Sequence, residues 1–592
     1  MEPKNITIAV TGKGIISAIG ADEDEVCAAI RGSKSGVSTI QHLDTIHKEL
    51  PCGEVKYSNA QLKQLLGISD DFLASRTVLM AVYAIRQAVL QAGIPHDELM
   101  RRRVTLIMGT TVGGMDLTEQ FWGTFNQQPD NQKCFRQHST GGSTELTASF
   151  FDYIDDSITI STACSSAANA IIAAAEILKD SPTDIVIAGG SEALTKFHLN
   201  GFNSLMILDR NTCRPFDDTR AGLNLGEGAA FLVLENAEEA AKRAVKIQAY
   251  LTGYSNHCDA YHQTASSPEG EGAYLAMNGA LQSAGLQPCN IQYINAHGTG
   301  TANNDLSESV AVKRIFGDKI PPVSSTKPFT GHTTSASGAI EAVICILALN
   351  RGFIPGNLGW QSSTDGCITP VKECCNADLQ NVMCNSFGFG GNDSSLIFSA
   401  HPSAISHNQD NDSSEIQVVA KCLIDNESQL QEIKNYLSPL QSRRMGKLLK
   451  SSLLASLKAL QQAGIKTPDA IITATAMGCW ENTEILLDQM VKEGEAMQKP
   501  TFFMQSTHNT ISGNIAINTG CHGYNITYSH DAKSLDLAIA DAKIQLRSGR
   551  CKNVLVGIHD EATPTLQKLM QETGIGNPPA LYSMAMVLTL KK

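Results

Sequence analysis

One unit of secondary structure occurs more than once in this chain, and that repeat restricts its possible folds more than any other feature. Residues 84–114 read as a helix, the turn QAGI, an apolar strand and a glycine turn, and residues 456–478 repeat that order. Residues 157–180 are matched by residues 525–548, each a short strand leading into a helix. Because short strands alternate with amphipathic helices, we predict a layered α/β fold that uses one scaffold repeatedly.

The stretch STACSSAANAI places a cysteine, Cys164, between the β-branched run Ser157–Ile160 and an alanine-rich helix. A helix N-terminus presents free N–H groups and partial positive charge, so we expect a lowered thiol pKa and predict a nucleophile. The alternative is a buried structural cysteine, the commoner fate of this residue type. In the repeat, Ala532 falls at the position of Cys164, so the C-terminal copy is predicted to keep the scaffold without the nucleophile.

Length and a polar segment divide the chain into two predicted domains. The 592 residues are too many for one ordinary hydrophobic core. Residues 401–415, HPSAISHNQDNDSSE, have the Ser, Asn and Asp content of a linker. We therefore predict a domain over residues 1–400, with halves of about 1–240 and 241–400, and a second domain over residues 416–592.

Composition argues against several classes of function. The net charge of −13 does not suit a general role in binding nucleic acid or a membrane surface. No apolar run is long enough to span a bilayer, and the chain enters a strand at Ile6–Val10 without the pattern of a secretion signal, so we expect a cytoplasmic protein. The 16 cysteines are scattered and lack zinc-ligand spacing, which predicts neither a disulfide framework nor a metal site.

Two histidines lie beside glycines at the ends of short apolar runs. His297 stands in YINAHGTGTANND, and His332 stands in SSTKPFTGHTTSASGAIEAV together with Lys327 and Glu341. A lone histidine is more often structural than catalytic. Glycines let a ligand approach the backbone, and their presence at both histidines favours a functional site.

The motif NSFGFGGND, residues 385–393, is the last candidate for a functional loop. Its glycines predict a tight turn with exposed N–H groups, and Phe387 and Phe389 are placed to line a channel. The alternative is an ordinary β-turn carrying two core aromatic residues.

Six motifs in the first 400 residues together resemble the β-ketoacyl synthases, the elongating condensing enzymes of fatty-acid and polyketide synthesis. They are TACSS at 162–166, RPFDDTRAGLNLGEGA at 214–229, DAYHQTASSPEGEGA at 259–273, NAHGTGT at 295–301, KPFTGH at 327–332 and NSFGFGG at 385–391. Six motifs in family order are far more specific than one loose pattern. The resemblance implies a thiolase-like fold of two similar halves in five α/β/α/β/α layers, followed here by an additional partial copy.

The resemblance also implies a reaction. Cys164 would take an acyl chain from an acyl carrier protein as a thioester. His297 and His332 would bind the carbonyl of a malonyl thioester and stabilise the enolate formed as carbon dioxide leaves. Attack of that enolate on the acyl-Cys164 thioester would lengthen the chain by two carbons. A thiolate suits this role because it is a good nucleophile and a good leaving group. Donors fixed at the developing oxyanion are expected to contribute about 3–4 kcal/mol each.

Supporting roles follow from the same resemblance. Lys327 and Glu341 would form a buried pair that holds the site in shape. The backbone N–H groups of Cys164 and Phe389 would form an oxyanion hole, and Phe389 would gate malonyl entry. Four residues are assigned to substrate binding: Thr264, Thr299, Thr301 and Phe387. No cofactor is implied beyond the phosphopantetheine arm of the carrier protein, and the family implies a homodimer with two separate tunnels.

Two departures from the family pattern leave the pathway open. The last motif reads GGND where the family often has GGTN, which adds Asp393 near the turn. The nucleophile loop reads ACSSAAN where typical fatty-acid enzymes carry ACATGAH, and the ACSS form is commoner in polyketide-type enzymes. A fatty-acid product and a polyketide or polyene product therefore both remain open.

Two other functions compete with an active elongating enzyme. A chain-length-factor-like partner of another synthase would keep the fold but lose the nucleophile, whereas this chain keeps it. A biosynthetic thiolase would use a second cysteine as base, and the GTGT and TGH settings of the two histidines argue against that.

The C-terminal domain lacks counterparts of NAHGTGT and KPFTGH, so we predict that it is catalytically dead. It would serve as a docking or assembly module, cover an edge of the catalytic domain, or merely stabilise the chain. Docking an acidic carrier protein requires a local basic patch. The candidate patches are Arg101–Arg103, and Arg443–Arg444 with Lys447.

Overall fold

The computed structural model describes residues 6–125, 129–403, 415–495 and 498–591. Most of the predicted linker, residues 404–414, therefore lies outside the described residues. In the described part of the chain, no helix is long and apolar enough to cross a membrane.

Fifteen strands of the described residues form one continuous sheet, and two short strands pair separately. In chain order the strands are β1 (Ile8–Ser17), β2 (Val104–Gly109), β3 (Asp156–Ile160), β4 (Ile185–Glu192), β5 (Gly228–Asn236), β6 (Ala249–Cys258), β7 (Tyr293–Asn295), β8 (Val323–Ser324), β9 (Phe353–Ile354), β10 (Cys375–Asn376), β11 (Asn381–Gly388), β12 (Asn392–Ser399), β13 (Ile416–Ile424), β14 (Ala470–Ala474), β15 (Tyr524–Tyr528), β16 (Asn553–Glu561) and β17 (Leu581–Leu590).

The sheet contains three copies of one five-stranded unit. The order β3-β2-β4-β5-β1 in the first copy recurs as β8-β7-β11-β12-β6 in the second and as β15-β14-β16-β17-β13 in the third. The predicted α/β fold of two similar halves followed by an additional partial copy is therefore confirmed.

Helices cover and separate the strands. They are α1 (Glu23–Arg31), α2 (Asn59–Leu66), α3 (Arg76–Ala92), α4 (His96–Leu99), α5 (Met115–Phe121), α6 (Pro129–Phe135), α7 (Thr140–Ala148), α8 (Ser166–Asp180), α9 (Lys196–Ser204), α10 (Ala237–Ala241), α11 (Glu271–Ala284), α12 (Ala302–Phe316), α13 (Lys327–Thr330), α14 (Ser337–Arg351), α15 (Pro439–Ser442), α16 (Lys447–Ala463), α17 (Trp480–Glu493), α18 (Pro500–Met504), α19 (Thr510–Thr519), α20 (Ser534–Arg547) and α21 (Pro564–Thr573).

The two central helices, α8 and α14, are almost wholly buried and contact each other as well as strands of both halves. Their small residues permit this close packing. A Cβ atom at Gly338 would lie only 2.8 Å from the backbone nitrogen of Ala168, so a larger residue there would push the helices apart. The close packing fixes the residues at the N-terminal ends of both helices relative to one another.

The third copy lies against the edge of the first. Strand β15 runs antiparallel to β3: the Ser161 N–H donates to the Thr527 carbonyl (3.0 Å), and the Ser529 N–H donates to the Thr159 carbonyl (3.1 Å). An uncovered strand at this position would present free N–H and C=O groups to another chain. Covering an edge, one of the roles considered for the C-terminal domain, is therefore what the structure shows.

Side chains from both copies share one interior. Trp480 packs edge-on against Trp122 and Phe135, with ring centroids 5.9 and 5.6 Å apart. Arg550 donates two hydrogen bonds to the buried Glu176, at 2.9 and 2.7 Å. The Arg550 side chain is 38% exposed, so this ion pair joins the two copies at the rim of their shared interior, while the aromatic contacts lie inside it. The C-terminal domain is therefore an integral part of the folded chain.

Candidate active site

The strained turn that carries the nucleophile candidate Cys164 recurs in every copy. Ala163, Thr334 and Asp531 have positive φ angles of 51°, 44° and 47°, and each begins a short 3-10 turn ahead of α8, α14 or α20. Such a conformation costs a non-glycine residue of order 1–3 kcal/mol. The residue after it is Cys164 in the first copy and Ala532 in the third, as the repeat in the sequence predicts.

Cys164 faces His332 inside the protein. The His332 Nε2 atom lies 3.0 Å from the Cys164 sulfur, and its Nδ1 atom lies 3.0 Å from the Ser337 hydroxyl. The His332 N–H donates to the Asn224 carbonyl at 2.7 Å, which fixes the backbone that carries the ring. Thiol and imidazole are therefore within direct proton-transfer distance.

The expectation of a lowered thiol pKa is wrong for this conformation. Burial raises the pKa of Cys164 to about 12, although the Lys327 charge and a hydrogen bond from the backbone N–H of Phe389 act in the opposite direction. Desolvation of a fully enclosed sulfur outweighs the helix N-terminus. Cys164 is therefore a thiol at rest, and its proton must pass to a neighbouring base before it can attack.

His297 completes a group of three side chains around one space. Its ring centroid lies 5.3 Å from that of His332, and its Nδ1 atom lies 3.4 Å from the Lys327 ammonium. Burial, the Lys327 charge and His332 hold the pKa of His297 well below its ordinary value, and burial and Lys327 do the same for His332. Both imidazoles are therefore neutral.

Lys327 and Glu341 form the expected buried pair, with the ammonium 2.6 Å from Oε1 of the carboxylate. Burial raises the pKa of Glu341, and the Lys327 charge opposes that shift. Because both side chains are almost fully buried, loss of either one would leave an uncompensated charge.

The loop that carries His297 depends on Glu308, which the sequence analysis did not single out. Its carboxylate accepts hydrogen bonds from the His297 N–H (2.9 Å) and the Gly298 N–H (2.8 Å). Asn385 donates to the same carboxylate at 3.3 Å, which ties this loop to the NSFGFGG motif. The sequence signal for Glu308 is a carboxylate in the helical segment that immediately follows NAHGTGT, and the structure shows that it is buried.

The NSFGFGG turn is held from the C-terminal domain. The Asn509 side-chain amide donates to the Phe389 carbonyl and to the Asn392 side chain, both at 2.7 Å. Gly390 has a φ of 81°, and a Cβ atom there would lie 2.7 Å from the Asn509 amide nitrogen, so this turn requires glycine. No sequence motif marked Asn509, because it lies in the copy without a nucleophile.

A cavity of about 240 Å³ connects these groups to the surface. Its lining includes Cys164, both histidines, the predicted gate Phe389 and the four residues predicted to bind substrate: Thr264, Thr299, Thr301 and Phe387. The hydroxyls of Thr299 and Thr301 lie 2.9 Å apart, and the Phe387 ring lies 5.8 Å from His297. The structure thus brings together every residue of the predicted site, with Lys327 and Glu341 directly behind it.

Asp393 also lines the cavity, and burial holds its pKa well above the ordinary value.

The predicted basic patches differ in how far their charges are already paired. Arg102 is bound to Glu98 and Glu235, both at 2.9 Å, whereas Arg443 and Arg444 are exposed. The remaining members of the two patches also form ion pairs: Arg101 with Asp97, Arg103 with Asp156, and Lys447 with Glu427 and Glu481.

Among the described residues, no three His, Cys, Asp or Glu side chains are grouped so that they could hold a metal ion.

Comparison with protein families agrees with this architecture. Residues 6–240 match the β-ketoacyl synthase N-terminal domain, and residues 248–361 match the β-ketoacyl synthase C-terminal domain. Residues 416–592 match a β-ketoacyl synthase N-terminal domain for a second time. The third copy is thus an N-terminal half without its own C-terminal half.

Individual relatives support the same assignment. The chain is 33% identical over 424 residues to 3-oxoacyl-[acyl-carrier-protein] synthase 2 of Staphylococcus aureus (strain MRSA252), covering 67% of this chain and 98% of that protein. The synthase 2 of Coxiella burnetii (strain RSA 493 / Nine Mile phase I) is 33% identical over 411 residues, covering 66% and 98%.

Solved structures extend the comparison to the third copy. "The ishigamide ketosynthase/chain length factor" matches with a TM-score of 0.63 and 31% identity, covering 67% of this chain and all of that one. "PfaC Keto synthase-Chain length factor" matches in fold with a TM-score of 0.78 and 16% identity, covering 99% of this chain and 78% of that one. By its domains, its relatives and its fold, the chain belongs to the β-ketoacyl synthases, condensing acyltransferases of the 3-oxoacyl-[acyl-carrier-protein] synthase type.

Proposed function

We propose that the chain catalyses a decarboxylative Claisen condensation between an acyl group held on Cys164 and a malonyl group on an acyl carrier protein. The observation that carries this proposal is the shared cavity in which a cysteine sulfur lies 3.0 Å from one neutral imidazole, with a second imidazole beside it. The product is a 3-oxoacyl chain longer by two carbons. The class of acyl chain, whether of a fatty-acid, polyketide or polyene pathway, is a separate question.

In the first half-reaction, His332 takes the thiol proton through Nε2 as the Cys164 sulfur attacks the incoming thioester. The carbon–sulfur bond to the pantetheine thiol then breaks, and His332 returns the proton to that leaving thiolate. The Ser337 hydroxyl at Nδ1 can donate or accept, so it accommodates both tautomers of the ring. The Phe389 N–H, which already donates to the sulfur at rest, is placed to bind the oxyanion of the intermediate.

In the second half-reaction, the two imidazoles bind the malonyl thioester oxygen. The Lys327 ammonium can only donate hydrogen bonds, so Nδ1 of His297 accepts and its proton resides on Nε2. His332 changes from its Nδ1–H to its Nε2–H tautomer by proton exchange with solvent, after which Ser337 donates to Nδ1 and Nε2 carries the second proton. Both donors stabilise the enolate as the carbon–carbon bond to the carboxylate breaks and carbon dioxide leaves. The enolate carbon then attacks the acyl thioester and expels the Cys164 thiolate, which takes a proton from solvent to restore the resting thiol.

The partner for this chemistry is an acyl carrier protein, whose phosphopantetheine arm would enter the cavity that Thr299 and Thr301 line. A solved neighbour with 25% identity and a TM-score of 0.60, "AntDE:AntF (apo): type II PKS acyl-carrier protein in complex with its ketosynthase bound to the hexaketide", supports this proposal. No tightly bound cofactor is required by these steps.

A cytoplasmic location and a homodimer stay predictions. Because β15 occupies the β3 edge, a homodimer would have to form through another surface.

The alternative function is a chain-length-factor-like partner that shapes a tunnel for another synthase. The third copy has that character, because Ala532 replaces the nucleophile. The first two copies do not, because Cys164, His297 and His332 are all present around one cavity. We therefore favour a single chain that combines an active synthase with an inactive partner-like copy.

Replacing His297 with Ala tests the second half-reaction separately. We expect malonyl decarboxylation and condensation to fall about 10²–10³-fold, the usual effect of removing one oxyanion donor. Acyl transfer to Cys164 should persist, because His332 remains 3.0 Å from the sulfur. Release of carbon dioxide and intact-protein mass spectrometry measure the two steps. His96→Ala, at an exposed histidine, is the matched control. Decarboxylation at the wild-type rate in His297→Ala would contradict the proposal.

Replacing Asn509 with Ala tests the contribution of the C-terminal domain to the same site. The change leaves the Phe389 carbonyl and the Asn392 side chain without a donor, at a cost of about 1–3 kcal/mol. A loss of about 1.4 kcal/mol in placing the Phe389 N–H would lower the condensation rate about tenfold. We expect that drop in kcat, with the circular dichroism spectrum unchanged. An unaltered kcat would show that the turn does not need this support.

A further inference from the structure

A second cavity lies between the first and third copies, behind the site already described. Its volume is about 40 Å³, and three of its lining residues are the buried histidines His138, His198 and His508. Burial lowers the pKa of all three, to about 3 for His138 and about 4 for His508, so the rings are neutral. The function assigned above uses none of these imidazoles.

Each of these rings has hydrogen-bonding capacity left over. Nδ1 of His138 bonds to the Thr118 hydroxyl (2.8 Å), and Nδ1 of His508 bonds to the Ser161 hydroxyl (2.9 Å), which leaves Nε2 of both rings without a partner among the described residues. His198, about nine-tenths buried, has a hydrogen-bond partner for neither ring nitrogen within the described part of the chain, and its ring packs against those of Phe197, Phe202 and Phe503. A buried polar group without a partner is costly, so these nitrogens point to a ligand.

Most hydroxyl groups around the cavity are, by contrast, already bonded, and among the described residues Thr483 is the exception. Thr140 donates to Ser529, Ser506 donates to the Phe503 carbonyl, and the Thr507 and Thr510 hydroxyls bond to each other. The free polar capacity of this cavity therefore belongs mainly to its imidazoles, which can donate to a carbonyl or accept from a hydroxyl, with the Thr483 hydroxyl beside them.

The cavity is next to the end of the site that holds Cys164. Phe202 lines the Cys164 cavity, stacks on Phe389 (5.7 Å between centroids) and packs edge-on against His198 (6.1 Å) and Phe503 (5.1 Å). Ser161, the partner of His508, lies three residues before the nucleophile. Phe202 is thus the partition between the two spaces, and a chain attached to Cys164 reaches the histidines by displacing that ring.

We propose that this cavity receives the far end of the acyl chain on Cys164 and selects chains that carry a keto or hydroxyl oxygen there over saturated chains of equal length. The inference rests on the proposed function, because it needs an acyl group on Cys164. A volume of about 40 Å³ accommodates about three waters, so the selected end is short. A saturated chain would expel those waters and leave the imidazole nitrogens unpaired.

The test is competitive acylation of the full chain with hexanoyl-, 5-hydroxyhexanoyl- and 5-oxohexanoyl-pantetheine, with acetyl-pantetheine as a separate reference. Intact-protein mass spectrometry gives the ratio of loaded species. One hydrogen bond gained predicts about a tenfold preference for an oxygenated chain. His198→Leu should lower that preference, because His198 is the ring of the three with neither nitrogen bonded, and His198→Gln, which keeps an amide donor, should retain more of it. His96→Leu is the same exchange at an exposed site and should leave the ratio unchanged.

The outcomes separate the inference from the function on which it rests. Equal loading of all three chains, or a preference for hexanoyl, overturns the inference, as does a preference that is undiminished in His198→Leu. Loading of acetyl alone also overturns it and leaves the condensing function standing. Failure of every thioester to load Cys164 overturns the proposed function itself. If His198→Leu does not fold, the ratio measured on the unaltered chain decides the question.

Discussion

Deletion of residues 416–592 is expected to abolish condensation and to change the association state of the protein. The deletion would expose the edge of β3, which pairs with β15 in the full chain. It would also remove Trp480 from its packing against Trp122 and Phe135. It would also leave Glu176 without Arg550 and the Phe389 carbonyl without Asn509. An uncovered strand beside an exposed apolar surface associates with other chains.

The deletion is measured by condensation rate together with molar mass from light scattering. We expect no detectable condensation, and self-association or aggregation in place of the state of the full chain. Co-expression of residues 416–592 as a separate chain is the control, because restored activity would show that the lost contacts and not the cut are responsible. A truncated chain that stays monodisperse, keeps the association state of the full chain and condenses at the full rate would show that the third copy is neither a structural nor a functional part of the site.

Replacement of Cys164 with Ala is expected to reduce acyl loading below detection. The acyl–sulfur bond cannot form without this sulfur, and the other cysteines near it do not face the histidines of the site. Cys345 and Cys384 are buried between the central helix α14 and strand β11, away from the cavity lining. Condensation should be lost together with loading, because both half-reactions pass through the same thioester.

Intact-protein mass spectrometry after mixing with an acyl carrier thioester measures this loss. Cys289→Ala, at an exposed free cysteine, is the matched control and should load like the unaltered chain. Decarboxylation of malonyl without condensation can persist in Cys164→Ala, because His297 and His332 remain. Acylation that persists in Cys164→Ala would refute the assignment of the nucleophile.

The sequence predicted the fold and the three central residues of the site because local motifs encode both. Apolar runs such as VTLIMG predict buried strands, and runs of helix-forming residues such as AANAIIAAAEILKD predict helices. The repeat of these runs then indicates the topology. Cys164, His297 and His332 lie at strand-to-helix turns or glycine loops, where a motif fixes geometry. The same turn, with positive φ, recurs at Asp531 in the inactive copy.

The rest depends on contacts between residues far apart in the chain. The thiol pKa follows from complete burial of Cys164, which a helix N-terminus in the sequence does not reveal. Asn509 lies 120 residues from Phe389, and its role follows only from β15 pairing with β3. His198 and His508 lie in stretches without a motif, and they meet only because the third copy packs on the first. Tertiary packing, not local propensity, decides all of these.

The most direct test of the account is to locate the acyl group after a quench of the unaltered protein mixed with a labelled acyl carrier thioester. The central claim is that one sulfur carries the chain while two imidazoles prepare the malonyl carbon beside it. Peptide mapping should find the label on the peptide that contains Cys164, and malonyl carrier protein should remove it as a product two carbons longer. A label on any other residue, or a label on Cys164 that malonyl carrier protein does not remove, would contradict the account.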